Sequence, residues 1–135
     1  MPSCLLSLLA LSILCLVAGC GPNVGAVTVN GTVLGDGEPA AGLTVQFSPV
    51  TGERSSTGFT DADGRFELRY SKDIVGALPG KHNVAFFWYP EAEGQKPTSA
   101  QRAVLEAYGD DKGKSYAVEI TGPTKNVVIA VETGK

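Results

Sequence analysis

Only a few side chains of this 135-residue chain are of a type to do chemistry: three cysteines, one histidine, an Asp-x-Asp-Gly turn and a run of four aromatics. Cys4, Cys15 and Cys20 all fall within the first 20 residues, so the body has no disulfide and no thiolate metal site. A thiolate is the side chain nucleophilic enough to form a thioether near neutral pH. Cys20 is the one placed for it, where an apolar run gives way to soluble sequence. Cys4 and Cys15 read as small apolar residues inside that run.

The other candidates are weaker. Asp61-Ala62-Asp63-Gly64 opens like a calcium loop, which needs an acid or Asn at the fifth position, Gly at the sixth and Glu at the twelfth. Counted from Asp61, those places hold Arg65, Phe66 and Lys72. A hairpin turn in which Asp61 caps backbone amides accounts for the same residues. A catalytic zinc takes three protein ligands, and His82 is the only histidine, so a hydrogen-bonded strand histidine is expected there. There is no Ser–His–Asp set and no nucleophile elbow. These residues predict a protein without catalysis, metal or cofactor.

Phe86-Phe87-Trp88-Tyr89 is the remaining cluster. On a strand, Phe86 and Trp88 face one side and Phe87 and Tyr89 the other. A sheet buried on one face has no need of the second pair. Phe87 and Tyr89 are therefore candidate binding residues, as a stacking platform for sugar rings or a patch for a protein. The competing expectation is that the connection from Pro90 to Ser115 folds back and covers them.

Elements must hold these residues. Leu5 to Val17 is apolar apart from two serines, too short for the roughly 20 residues of a bilayer span and suited to a signal-peptide core. Val17-Ala18-Gly19-Cys20 resembles the lipobox of bacterial lipoproteins. The resemblance implies cleavage between Gly19 and Cys20 and a diacylglyceryl group on the Cys20 sulfur, with acylation as the only covalent addition. Two or more acyl chains hold a protein durably, at about 0.8 kcal/mol per buried CH₂. An ordinary secretory leader with an incidental cysteine, or an uncleaved helix, are the competing readings. No Lys or Arg precedes the apolar core, where a basic segment belongs. The sorting rule of lipoproteins reads Asp after the cysteine as retention; Gly21 stands there, which implies the outer membrane. Residues 1–19 are then a leader, 20–26 a lipidated tether, and 27–135 one domain. Gly21 to Gly25 reach about 18 Å at most, at 3.3–3.6 Å per residue, which keeps the domain close to the lipid.

The domain reads as short strands. Val27 to Val33, Leu43 to Pro49, Arg65 to Tyr70, His82 to Tyr89, Tyr116 to Ile120 and Asn126 to Glu132 alternate apolar with polar residues, and Ser55 to Thr60 makes a shorter seventh. Leu43, Val45, Phe47, Phe66, Leu68, Tyr70, Val84, Tyr116, Val118, Ile120, Val127, Ile129 and Val131 are predicted to face inward. Asp36-Gly37 and Asp63-Gly64 supply the positive φ of tight turns. Seventeen glycines and eight prolines suit turns between strands. Ser99 to Tyr108 reads as one short helix with Ser99 as its N-cap and Gly109 just past its end. The prediction is an all-β, seven-stranded antiparallel sandwich with one short helix.

"VNGTVLGDGEPAAGLTVQF", "GFTDADGRFEL" and "LPGKHNVAF" resemble successive strands of a carboxypeptidase regulatory-like domain, a transthyretin-like (prealbumin-like, Ig-like) β-sandwich. The matching positions include Gly31, Val33, Pro39, Gly42, Val45, Thr60 to Phe66, Gly80-Lys81-His82 and Val84. The resemblance implies a fold and a place at the cell envelope. It implies almost nothing about activity, because a fold does not give a function. Hydrolases of the transthyretin-like type use several histidines, and this chain has one.

Charge narrows the partners. The formal net charge is −3, and no charged residue precedes Asp36. A mildly acidic chain offers neither the basic stripe that nucleic acid wants nor a polybasic patch for anionic lipid. The expected partners are the membrane, through the lipid, and an envelope protein, with a glycan on Phe87 and Tyr89 as the alternative.

Overall fold

The structure is a computed structural model that describes residues 24–133. Its elements are β1 (Val29–Gly35), β2 (Glu38–Pro39), β3 (Thr44–Pro49), β4 (Ser56–Phe59), β5 (Arg65–Glu67), β6 (Gly80–Phe87), α1 (Ser99–Tyr108), β7 (Tyr116–Ile120) and β8 (Thr124–Val131), with a 3₁₀ turn at Asp110–Lys112. They form two sheets. In one, β1 is central: β8 lies along one edge, and β5 and β2 share the other, β5 pairing with Asn30 to Thr32 and β2 with Leu34 and Gly35. The second sheet runs β4-β3-β6-β7 and is antiparallel throughout.

Alternation explains which side chains meet between the sheets. Val29 and Val33 of β1, Val45 and Phe47 of β3, Val84 and Phe86 of β6 and Ile129 of β8 are all fully buried. Leu43 and Leu68, just outside strands, join them. Each such side chain contributes about 1.5–3 kcal/mol relative to exposure. Gly31 and Gly35 also point inward on β1, for a different reason. A Cβ at Gly31 would run into the Phe66 ring and the Val127 carbonyl, and one at Gly35 into the Ala100 backbone. These two positions let β5, β8 and α1 close in on the central strand.

Four features differ from expectation. Among the described residues there are eight strands, the additional one being β2, whose two residues are too few to alternate. It exists because Asp36 and Gly37, with φ of 51° and 81°, turn the chain straight back on β1. The sandwich is also not purely antiparallel: β8 runs parallel to β1, from Val29 opposite Thr124 to Gly35 opposite Val131. Period-two patterning reports which face is wet and carries no information on a partner's direction. One extra residue on β8, at Lys125 or Asn126, bulges the pair near its start. Tyr70, Tyr116, Val118 and Val127 are only half-buried; Tyr116 and Val118 sit on β7, the outer strand of its sheet. Finally, the helix spans Ser99–Tyr108 as predicted, but its N-cap is Thr98. Thr98 Oγ1 accepts from the Gln101 amide at 3.2 Å and Gln101 Oε1 accepts from the Thr98 amide at 2.8 Å, a capping box that needs the T-x-x-Q spacing.

α1 closes one end of the sandwich, burying Ala100, Ala103 and Val104 against β1 and β6. Gln101 Nε2 donates to the Ala41 carbonyl and fixes the helix to the turn before β3.

Candidate functional site

Cys20 and the Gly19 bond lie outside the described residues. The chain enters the domain at Val24, and Val27 is held by reciprocal backbone bonds with Ala77, 2.8 and 2.9 Å long.

The Asp61 turn is a backbone device. Asp61 Oδ1 accepts from the amides of Asp63 and Arg65, both at 2.9 Å, and the Gly64 amide donates to the Asp61 carbonyl. The carboxylate is thereby committed to two N–H groups, and Gly64, at φ 75°, supplies the left-handed residue. Among the described residues no group of three His, Cys, Asp or Glu side chains is arranged to hold a metal.

His82 is 1 % exposed and lies between the sheets, its ring 5.8 Å from that of Phe47. Nε2 is 2.7 Å from the Leu78 carbonyl oxygen, to which it donates. Nδ1 is buried without a partner. No substrate can reach such a ring.

Phe87 and Tyr89 have different surroundings. Phe87 is half-buried and Tyr89 is 69 % exposed. The connection after Pro90 does not fold over Tyr89, because α1 spends its apolar face on the core. What the connection makes instead is a groove of about 350 Å³ between the end of β6 and α1. Phe87, Trp88 and Leu105 are on its apolar side, and Arg102, Glu106 and Asp110 on its rim. Register adds a residue that alternation alone did not single out. Thr44 of β3 stands opposite Phe87 of β6 on one side and opposite Phe59 of β4 on the other. Val45 and Phe47 point into the core, so Phe59, Thr44 and Phe87 form a row across three strands on the outer face. Phe59 is 62 % exposed. Alternation alone gave no signal for it: the strand turns Ser56 and Thr60 inward, with Gly58 half-buried between them, and leaves Thr57 and Phe59 outside.

A second hollow, about 630 Å³, lies on the outside of the other sheet, where Asn30, Thr32, Arg65, Glu67 and Asn126 converge. Thr32 Oγ1 donates to Asn126 Oδ1 at 3.2 Å across β1 and β8.

The third feature is an edge. Among the described residues β8 pairs with β1 alone. The Val131 carbonyl accepts from the Asp36 amide at 2.8 Å, so Val131 faces β1 with its backbone, and Ile129 and Val127 do likewise at period two. Val128 and Ala130 consequently present N–H and C=O at the open side. From Val127 to Val131 there is no charge and no proline, and Val128 is 48 % exposed. The end of the strand is firmly held: the amide and hydroxyl of Thr133 donate to the Asp36 carboxylate at 2.7 and 2.9 Å.

Compared with known protein families and with curated proteins, the chain matches no family model and no curated sequence.

Proposed function

We propose that this chain is a lipid-anchored, non-catalytic module of the cell envelope that binds a protein, and that it does so by accepting a strand along β8. The observation that carries the reading is the open edge itself. Natural sheets blunt such edges with charge, proline, bulges or short length; β8 bulges only near its start, and from Val127 to Val131 it runs on uncharged and proline-free, with backbone at Val128 and Ala130 turned away from β1 and facing no other strand among the described residues. Main-chain bonds to an added strand give affinity, and alternate side chains give choice of partner. The lipobox-like Val17 to Cys20 supports attachment to the membrane, most simply the outer one. The two-sheet layout and the Asp61 turn support the resemblance to carboxypeptidase regulatory-like, transthyretin-like domains.

Two measurements test this. Mass spectrometry of the native N-terminus is expected to find acylated Cys20; a chain still beginning at Met1 and released from membranes by salt overturns the anchor. A photo-crosslinker at Val128 is expected to give a discrete adduct in intact envelopes. Ala130→Pro removes one outward N–H without touching a bond to β1, and should abolish that adduct. An adduct that survives the proline rejects strand addition.

A further inference from the structure

The outer face of the β4-β3-β6-β7 sheet carries a row of aromatics that lies apart from β8. Phe59 and Phe87 are two strands apart, about 10 Å at the usual strand spacing. Their rings are separated by Thr44, and Thr57 lies beside Phe59 in a shallow hollow on the same face. At the other end the row runs into the groove where Tyr89 stands exposed. Aromatics spaced by hydroxyls differ from the contiguous apolar centre of a protein interface. They suit a ligand that alternates apolar ring faces with hydroxyl groups.

Charge selects further. The groove carries Arg102 and Lys112 against Glu106 and Asp110, and the hollow carries Arg69 against Glu67. Within the groove and this hollow three basic and three acidic groups balance, so the row between Tyr89 and Thr57 favours neither an anion nor a cation. Carboxylate and guanidinium groups are the side chains that bond hydroxyls most strongly, since one partner is ionised. We infer that this face binds a neutral, extended oligosaccharide, one ring stacked on Phe87, another on Phe59, and the chain end in the groove beside Tyr89. The aromatic row supplies area and direction, and the balanced rim supplies hydrogen bonds.

Trp88 makes the inference testable, because it is the only tryptophan and it lines the groove. The full chain in detergent micelles would be titrated with cellohexaose, chitohexaose and an anionic hyaluronan hexasaccharide while Trp88 emission is followed and binding is checked by calorimetry. A saturable shift with a neutral hexamer is expected. Phe59→Ala and Tyr89→Ala, both at exposed positions, should keep the wild-type circular dichroism and each weaken binding about tenfold, the loss of one stacking partner. Ala130→Pro should bind the sugar as wild type does, which separates this surface from the strand-addition edge. No response to either neutral hexamer overturns the inference, as does an equal or tighter response to the anionic one. Wild-type affinity in Phe59→Ala confines the ligand to the groove and overturns the extended path.

Discussion

β4 and β8 are outermost strands, one in each sheet, and they finish their sheets in opposite ways. β4 is four residues long, and its outer side is closed: Thr57 and Arg69 exchange both backbone bonds, at 2.9 and 2.8 Å. Arg54 and Glu53 precede it and Asp61 follows. β8 is eight residues long; its one charge, Lys125, stands near its start and Glu132 just past its end, neither of them along the open stretch. The same chain thus carries one edge that is shut by a neighbouring segment and one that is left open. The difference teaches that openness at β8 is not a general laxity of this fold. At β4 a neighbouring segment covers the edge, and β7, the outer strand on the far side of the same sheet, carries a charge, Glu119, along its length.

The largest expected effect comes from unseating β8. Gly31→Val places atoms against the Phe66 ring and the Val127 carbonyl, so either β5 or β8 must move off β1. Overpacking against backbone has little room to relax, and a loss of roughly 3 kcal/mol is expected in urea unfolding. A variant as stable as wild type would mean that β8 is held far more loosely than its pairing with β1 indicates.

Arg69→Pro reverses the state of the other edge. It deletes the amide that donates to the Thr57 carbonyl, at a cost of about 2 kcal/mol, one lost bond and one carbonyl left without its partner. The β4 edge should then self-associate, read as a concentration-dependent mass in light scattering. An unchanged monomer fraction would show that short length alone protects β4.

Thr98→Ala is the control for stability without edge change. It removes the hydroxyl that caps α1 and should cost about 1 kcal/mol. Crosslinking through Val128 should be unaffected, because Val128 is 48 % exposed on the outer strand β8 and the lost bond lies within the first turn of α1. If the adduct falls in proportion to stability, the edge is reporting unfolding and not binding.

These contrasts also mark what could be read from the sequence. Alternation placed Leu43, Val45, Phe47, Val84 and Ile129 correctly in the core, and the Asp61 turn and the helix span Ser99–Tyr108 follow from local chemistry. Local patterns carry that much because each is settled within a few residues. The direction of β8, the pairing of Phe59 with Thr44 and the closing of β4 by Arg69 depend on register between segments far apart in the chain. Alternation is silent on register. Thr98 was legible in principle: T-x-x-Q was present, one residue ahead of the serine preferred as cap.

The smallest change in stability should have the sharpest effect on binding. Val128 is about half exposed on the open side of β8, and Lys there keeps the backbone bond pattern while its ammonium reaches water. Substitutions at such positions usually stay within about 0.5 kcal/mol, so unfolding should be near wild type. A charge in the middle of an edge is the device by which natural sheets refuse an added strand, and Val128→Lys supplies at β8 what β4 already has around it. Retention of the partner should fall to background in envelopes carrying this variant, while glycan-dependent Trp88 emission stays unchanged. If the partner is retained, the contact is made by another surface, and the difference between the two edges is one of sheet construction without consequence for binding.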